Sequence, residues 1–171
     1  MKESRYEKIR DKNIKNKTMI NLGIMITILV VIDQLIKNIV VDKLFGSSVN
    51  IINGVLDFAY VENSGGAYGI GNNSTLIFTV VSLILIMSIG EFILLKYNNI
   101  NTSILFSLGL IIAGGLGNLI DRVFRGFVVD YIDVNPLIKF PIFNLADVCV
   151  VLGCMMIMIN LLIEIINGRK K

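Results

Sequence analysis

The sequence predicts a mostly α, polytopic membrane protein: four transmembrane helices with a small outward-facing β element. Three observations predict this. Hydrophobic residues make up 54% of the 171-residue chain and charged residues only 17%, against about 25% charged in a soluble domain. Mean hydropathy is +0.75. The apolar residues gather in four runs, 19–41, 74–95, 102–120 and 144–167, each near the roughly 20 residues that cross a bilayer as a helix.

The first run follows a basic segment. Lys2, Arg5, Lys8, Arg10, Lys12, Lys15 and Lys17 precede it. Such a tail suits nucleic acid or an anionic membrane surface, and the apolar run directly behind it favours the membrane. No nucleic-acid partner is expected. The run lacks a small-residue cleavage site and continues through Asp33 and Lys37, so it is expected to be a retained anchor rather than a signal peptide.

Between the first two runs, 49–61 is rich in β-branched and aromatic residues and carries a turn signal at Asn53-Gly54. That pattern predicts a hairpin or short sheet. Gly65-Gly66 and Gly69–Gly71 then interrupt regular structure. The third run ends in Gly114, Gly115 and Gly117, small residues that let membrane helices approach closely. The fourth begins at Asn144, which with Asp147 has the spacing of a helix N-terminal capping box.

The Lys/Arg bias sets the orientation. An even number of spans puts both termini on one side, with the seven tail residues, Lys96, Arg169, Lys170 and Lys171. Lys43, Arg122, Arg125 and Lys139 fall on the other side. The expected organisation is one membrane domain, 1–171. It comprises a cytoplasmic tail (1–18), four spans (19–41, 74–95, 102–120, 144–167), a cytoplasmic loop (96–101), two outer loops (42–73, 121–143) and a short cytoplasmic tail (168–171).

The chain has no His, which removes Ser-His and Cys-His catalysis and most zinc sites. Cys149 and Cys154 lie in one apolar run and read as small apolar fillers. Neither cofactor nor metal is expected. The polar residues inside the spans carry the chemistry, because a carboxylate at mid-bilayer costs on the order of 2.5–3.5 kcal/mol. Asp33 and Lys37 close span one, Asn118, Asp121 and Arg122 close span three, and Asn144 and Asp147 open span four. The alternating direction of the spans brings all three clusters to the outer level of the membrane.

Each cluster also has a structural explanation. Asp33 and Lys37 are spaced for an intrahelical ion pair, Arg122 for snorkelling to the interface, and Asn144 and Asp147 for capping. Capping and catalysis are compatible, since a helix N-terminus favours a carboxylate in its charged form. Asp133 is expected to be solvated, Glu91 and Glu164 interfacial, and Met155, Met156 and Met158 packing or lipid-facing.

These residues also spell a series of boxes. Asp33-Gln-Leu-Ile-Lys37 resembles the D-x-x-x-K box of the lipoprotein signal peptidases (signal peptidase II), aspartyl peptidases of bacterial membranes. Asn63-Ser-Gly-Gly-Ala-Tyr68 is similar to their N-x-G-A-A-F box, with Gly66 and Tyr68 departing from it. Gly114-Gly-Leu-Gly-Asn-Leu-Ile-Asp-Arg122 resembles G-G-x-x-G-N-x-x-D-R. Gly126-Phe-Val-Val-Asp-Tyr131 resembles G-x-V-x-D-F, and Phe143-Asn-Leu-Ala-Asp147 resembles F-N-x-A-D. All five stand in the family's order.

The resemblance implies four transmembrane helices with an outward β-cradle, and Asp130 and Asp147 as the catalytic aspartates. Asp33, Lys37, Asn63, Asn118, Asp121, Arg122 and Asn144 would support or contact the site. It implies diacylglyceryl-prolipoprotein substrates cut before the lipidated Cys, contact with membrane lipid, inhibition by globomycin-type peptides, and a monomer in the bacterial cytoplasmic membrane with its active site at the outer face. Three competing classes are weighed against it. A small ion-coupled transporter would favour midplane acids and repeated halves, a non-catalytic anchor would not need paired aspartates, and a Ser-Lys peptidase would need Ser64 beside Lys37.

Overall fold

A computed structural model describes residues 2–65, 74–97 and 99–168. Gly66, Tyr68 and Gly69–Gly71 lie outside the described residues, as do the terminal Arg169, Lys170 and Lys171.

Among the described residues, four helices are long and apolar enough to cross a membrane. They are α1 (Lys2–Leu44), α2 (Thr75–Lys96), α3 (Thr102–Phe124) and α4 (Leu145–Gly168). Helix α1 begins far ahead of the expected span. The tail residues Lys, Arg and Glu propagate a helix well, and no glycine or proline interrupts the tail before Gly23. Its membrane-competent part alone, Asn13–Leu44, has 32 residues and measures about 48 Å at 1.5 Å per residue. That exceeds the roughly 30 Å hydrocarbon thickness.

Helix α3 is the hub, packing against α1, α2 and α4. Its glycines explain how. A Cβ on Gly114 would run into the backbone oxygen of Ala146, and one on Gly153 would come within 2.6 Å of the Ser107 oxygen. The α3–α4 pair is therefore a close approach of backbones, as small residues allow in membranes. Leu22, Ile93, Leu105 and Leu108 form a buried cluster among α1, α2 and α3. Most other large apolar residues of the spans face outward, including Ile28, Leu85, Met155 and Met158. An apolar outer surface of this kind suits helices long enough to cross a membrane.

The expected hairpin is part of a three-stranded antiparallel sheet. Its strands are β1 (Ser48–Ile52), β2 (Leu56–Asn63) and β3 (Val128–Asp133), in the order β1-β2-β3. The turn between β1 and β2 uses Gly54 at φ 73°, a left-handed conformation open to glycine. The third strand comes from the segment expected as the second outer loop. It pairs with β2 in a register that sets Val61 opposite Asp130 and Asn63 opposite Val128. Gly126, at φ 84°, turns the chain from α3 into β3. Val40, Val129 and Tyr131 form a second buried cluster where the sheet meets the end of α1.

Candidate active site

The C-terminal ends of α1 and α3, the head of α4, and strands β2 and β3 meet at one point. Asp130 stands in the middle of β3 and is buried. Asn63, at the end of β2, donates from Nδ2 to its Oδ2 at 2.9 Å, and Asn144 donates from Nδ2 to its Oδ1 at 2.7 Å. Burial pushes the Asp130 carboxyl up to about 6. The hydrogen bond from Asn63 opposes that rise, and the charge of Asp147 adds to it.

Asp147 is less buried and lies in the first turn of α4. Its Oδ1 accepts from Asn118 Nδ2 at 2.7 Å and its Oδ2 from the Asn144 backbone N–H at 3.1 Å. The Asp147 N–H in turn donates to Asn144 Oδ1 at 3.0 Å. This is the reciprocal capping box that the spacing predicts. Asn144 thus bonds to both aspartates at once. It also donates to Asn118 Oδ1 at 3.1 Å, which closes a ring of amides between Asp130 and Asp147.

The four leading N–H groups of a helix have no partner within the helix. In α4 side chains satisfy all four. Asp147 receives Asn144, Tyr131 Oη receives Leu145 at 3.3 Å, Asp33 Oδ1 receives Ala146 at 3.1 Å, and Asn144 receives Asp147. The head of this helix is therefore fixed from three directions.

Asp33, Lys37 and Asp121 form a buried charge cluster below this level. Lys37 Nζ lies 2.9 Å from Asp33 Oδ2, 3.0 Å from Asp121 Oδ2 and 3.0 Å from Asn118 Oδ1. All three side chains are fully or almost fully buried. The intrahelical ion pair expected of Asp33 and Lys37 is present, but it is one half of a larger bridge. Each acid also holds the backbone beside one aspartate. Asp33 accepts the N–H of Ala146, just before Asp147, and Asp121 accepts the N–H of Val129, just before Asp130, at 3.1 Å. Lys37 ties the two supports together.

Arg122 turns toward the first loop rather than simply reaching for the interface. Its guanidinium lies 5.6 Å from the centre of the Phe78 ring, and its Nη2 is 3.5 Å from the Gly65 oxygen. All nine residues singled out in the sequence thus belong to this one neighbourhood. Asp133 stands apart. It faces Asp57 across the sheet and accepts from the N–H and side chain of Asn135. Cys149 is buried, Cys154 is exposed, and they are not bridged.

Three participants carried weaker signals in the sequence. Gln34 donates from Nε2 to the Gly117 oxygen at 3.0 Å and to Asp33 Oδ2 at 3.2 Å. It occupies an unspecified position of the first box, so only its polarity inside an apolar span marks it. Arg125 lies 3.2 Å from Asp121 and donates to Asn38 at 2.6 Å. Its i, i+4 spacing from Asp121 was the available clue. Tyr131 carries a hydroxyl where the box that the segment resembles ends in Phe.

Four helices of membrane-spanning length, with buried polar side chains gathered at one end, make this an integral membrane protein. A model of the signal peptidase (SPase) II family matches residues 25–163, and the chain belongs to that family. It is 42% identical over 142 residues to a lipoprotein signal peptidase of Clostridioides difficile, covering 81% of this chain and 93% of the relative. Identity to the lipoprotein signal peptidase of Clostridium acetobutylicum is 36% over 144 residues, covering 82% and 93%. The one from Staphylococcus aureus is 35% identical over 158 residues, covering 91% and 96%. A solved bacterial membrane enzyme superposes with a TM-score of 0.79 at 33% identity, covering 88% of this chain and 93% of that one. A second gives 0.73 at 31%, covering 83% and 92%.

Proposed function

We propose that this protein removes the signal peptide from diacylglyceryl-modified prolipoproteins by water attack between Asp130 and Asp147, cutting before the lipidated Cys. The observation that carries this reading is Asn144, whose side chain bonds to Asp130 and whose backbone bonds to Asp147. Two carboxylates bonded to one residue and interacting through their charges share one proton more easily than both ionise. Burial favours Asp130 as the protonated member. Asp147, at the positive end of α4, is the base.

The reaction balances with those two groups and one water. Asp147 takes a proton from the water as its oxygen bonds to the scissile carbonyl carbon. Asp130 gives its proton to the carbonyl oxygen. When the tetrahedral species collapses and the C–N bond breaks, Asp147 returns its proton to the leaving amine and Asp130 recovers one from the hydroxyl. The products are a signal peptide with a new carboxyl terminus and a lipoprotein with a free Cys amine. Asn63, Asn118 and Asn144 hold the carboxylates, and Arg122 is placed to meet peptide oxygens.

The Lys/Arg asymmetry supports cytoplasmic termini and a site at the outer face of the cytoplasmic membrane. Acyl chains then remain in lipid while the scissile bond reaches water. The protein works as a monomer and takes globomycin-type inhibitors at this site. The test is side-by-side digestion of a lipidated and a non-lipidated prolipoprotein. Cleavage of the lipidated form alone, blocked by globomycin, is expected. Equal cleavage of both would remove the substrate assignment.

A further inference from the structure

Two side chains from outside α4 accept N–H groups at its head, Asp33 and Tyr131, and Tyr131 has no part in the chemistry above. Tyr131 follows Asp130 directly on β3. Its backbone N–H donates to the Phe143 oxygen at 3.0 Å, and its hydroxyl accepts the Leu145 N–H at 3.3 Å. One residue thus brackets Asn144 from both sides, through main chain and side chain.

Its surroundings make the hydroxyl a fixed point. Tyr131 is only 2% exposed and packs with Val40 and Val129. Its ring meets Phe58 edge-on, with centroids 5.8 Å apart. A ring so confined places its oxygen within a small volume. Burial also pushes the phenol up to about 12, with Leu145 lowering it and the charges of Asp33 and Asp147 raising it. The group is therefore held as a neutral hydroxyl well above neutral pH.

We propose that the Tyr131 hydroxyl is a positioning group that fixes the first turn of α4, and with it Asp147, against the strand that carries Asp130. The inference rests on the two-aspartate reading and adds a residue to it. Removing the oxygen leaves the Leu145 N–H without its acceptor and takes away one of the two ties that hold the first turn, and Asp147 with it, from outside the helix. A net hydrogen bond of this kind converts to about a three- to tenfold effect.

Tyr131→Phe removes the oxygen and keeps the ring. The expected result, in the full-length protein with a lipidated prolipoprotein, is kcat lowered about three- to tenfold with KM unchanged. Because the hydroxyl does not titrate, the ratio to the unaltered protein should be the same from pH 5 to pH 9. Val40→Ala is the packing control. It trims the cluster around the same ring without touching the hydroxyl, and should lower Tm while leaving kcat per folded molecule intact.

Unchanged kcat in Tyr131→Phe overturns the proposal. So does a Val40→Ala enzyme that loses as much kcat as Tyr131→Phe, because the effect would then be packing. Asp130→Asn and Asp147→Asn are assayed in parallel. If either retains full activity, the two-aspartate reading has failed and Tyr131 has nothing to position. If both are inactive and Tyr131→Phe is fully active, only the positioning role fails.

Discussion

The ammonium of Lys37 lies 3.0 Å from the Asp121 carboxylate, and both side chains are completely buried. The pair joins α1 to α3 directly beneath the two candidate catalytic aspartates. Removing one partner of a buried ion pair strands the other charge. Lys37→Met should therefore destabilise the protein by on the order of 3–5 kcal/mol. Thermal unfolding in detergent measures this. A Tm equal to that of the unaltered protein would show that the cluster does not hold the fold.

Gly117 is the tightest point between the supporting acids and α4. A Cβ there would stand 2.6 Å from Asp33 Oδ2 and 3.0 Å from the Ala146 Cβ. Asp33 cannot yield cheaply, because Lys37 and the Ala146 N–H both hold it. Gly117→Ala should cost about 1–3 kcal/mol, as overpacking does, and should lower cleavage by displacing Asp147. Gly90 is the control. Nothing lies within 4 Å of its Cβ position, so Gly90→Ala in α2 should be neutral or stabilise by up to about 1 kcal/mol. Normal Tm and activity in Gly117→Ala would contradict the close approach.

The pH dependence follows from Asp130. Burial raises its carboxyl from 3.8 to about 6 in the folded protein. A carboxyl raised on folding binds its proton more tightly in the native state. Its favourable contribution is full below about pH 4 and is lost as pH rises through about 6. The unaltered protein should therefore lose Tm between pH 4 and pH 7, and Asp130→Asn should lose less. Cleavage measured as kcat/KM should also fall above about pH 6, as the acid form of Asp130 disappears. Parallel Tm curves for the two proteins would contradict the assignment of the proton to Asp130.

Much of this site is legible in the sequence. Asp33, Lys37, Asn118, Asp121, Asn144 and Asp147 sit in or beside apolar runs, where polar residues are costly, and alternating span directions bring them to one level. Local spacing also anticipated the Asn144–Asp147 capping box and the Asn53-Gly54 turn. Strand β3 was hidden for a physical reason. Its partner is β2, far away in sequence, and a strand that short is defined by pairing more than by its own residues. Asp130 consequently reads as a loop residue in the sequence, although Val128, Val129 and Ile132 are β-branched. The helical start of α1 is hard to read in the sequence because its residues are mostly charged or polar and show no apolar period. The link from Tyr131 to Leu145 left only one trace, an extra hydroxyl.

The most direct test of the account is single-turnover cleavage of a lipidated prolipoprotein by membrane-reconstituted Asp130→Asn and Asp147→Asn enzymes, each first shown to be folded and inserted. The account predicts that both lose cleavage by at least about a thousandfold, since neither acid–base role survives the change to an amide. Cleavage within tenfold of the unaltered protein in either variant would contradict it.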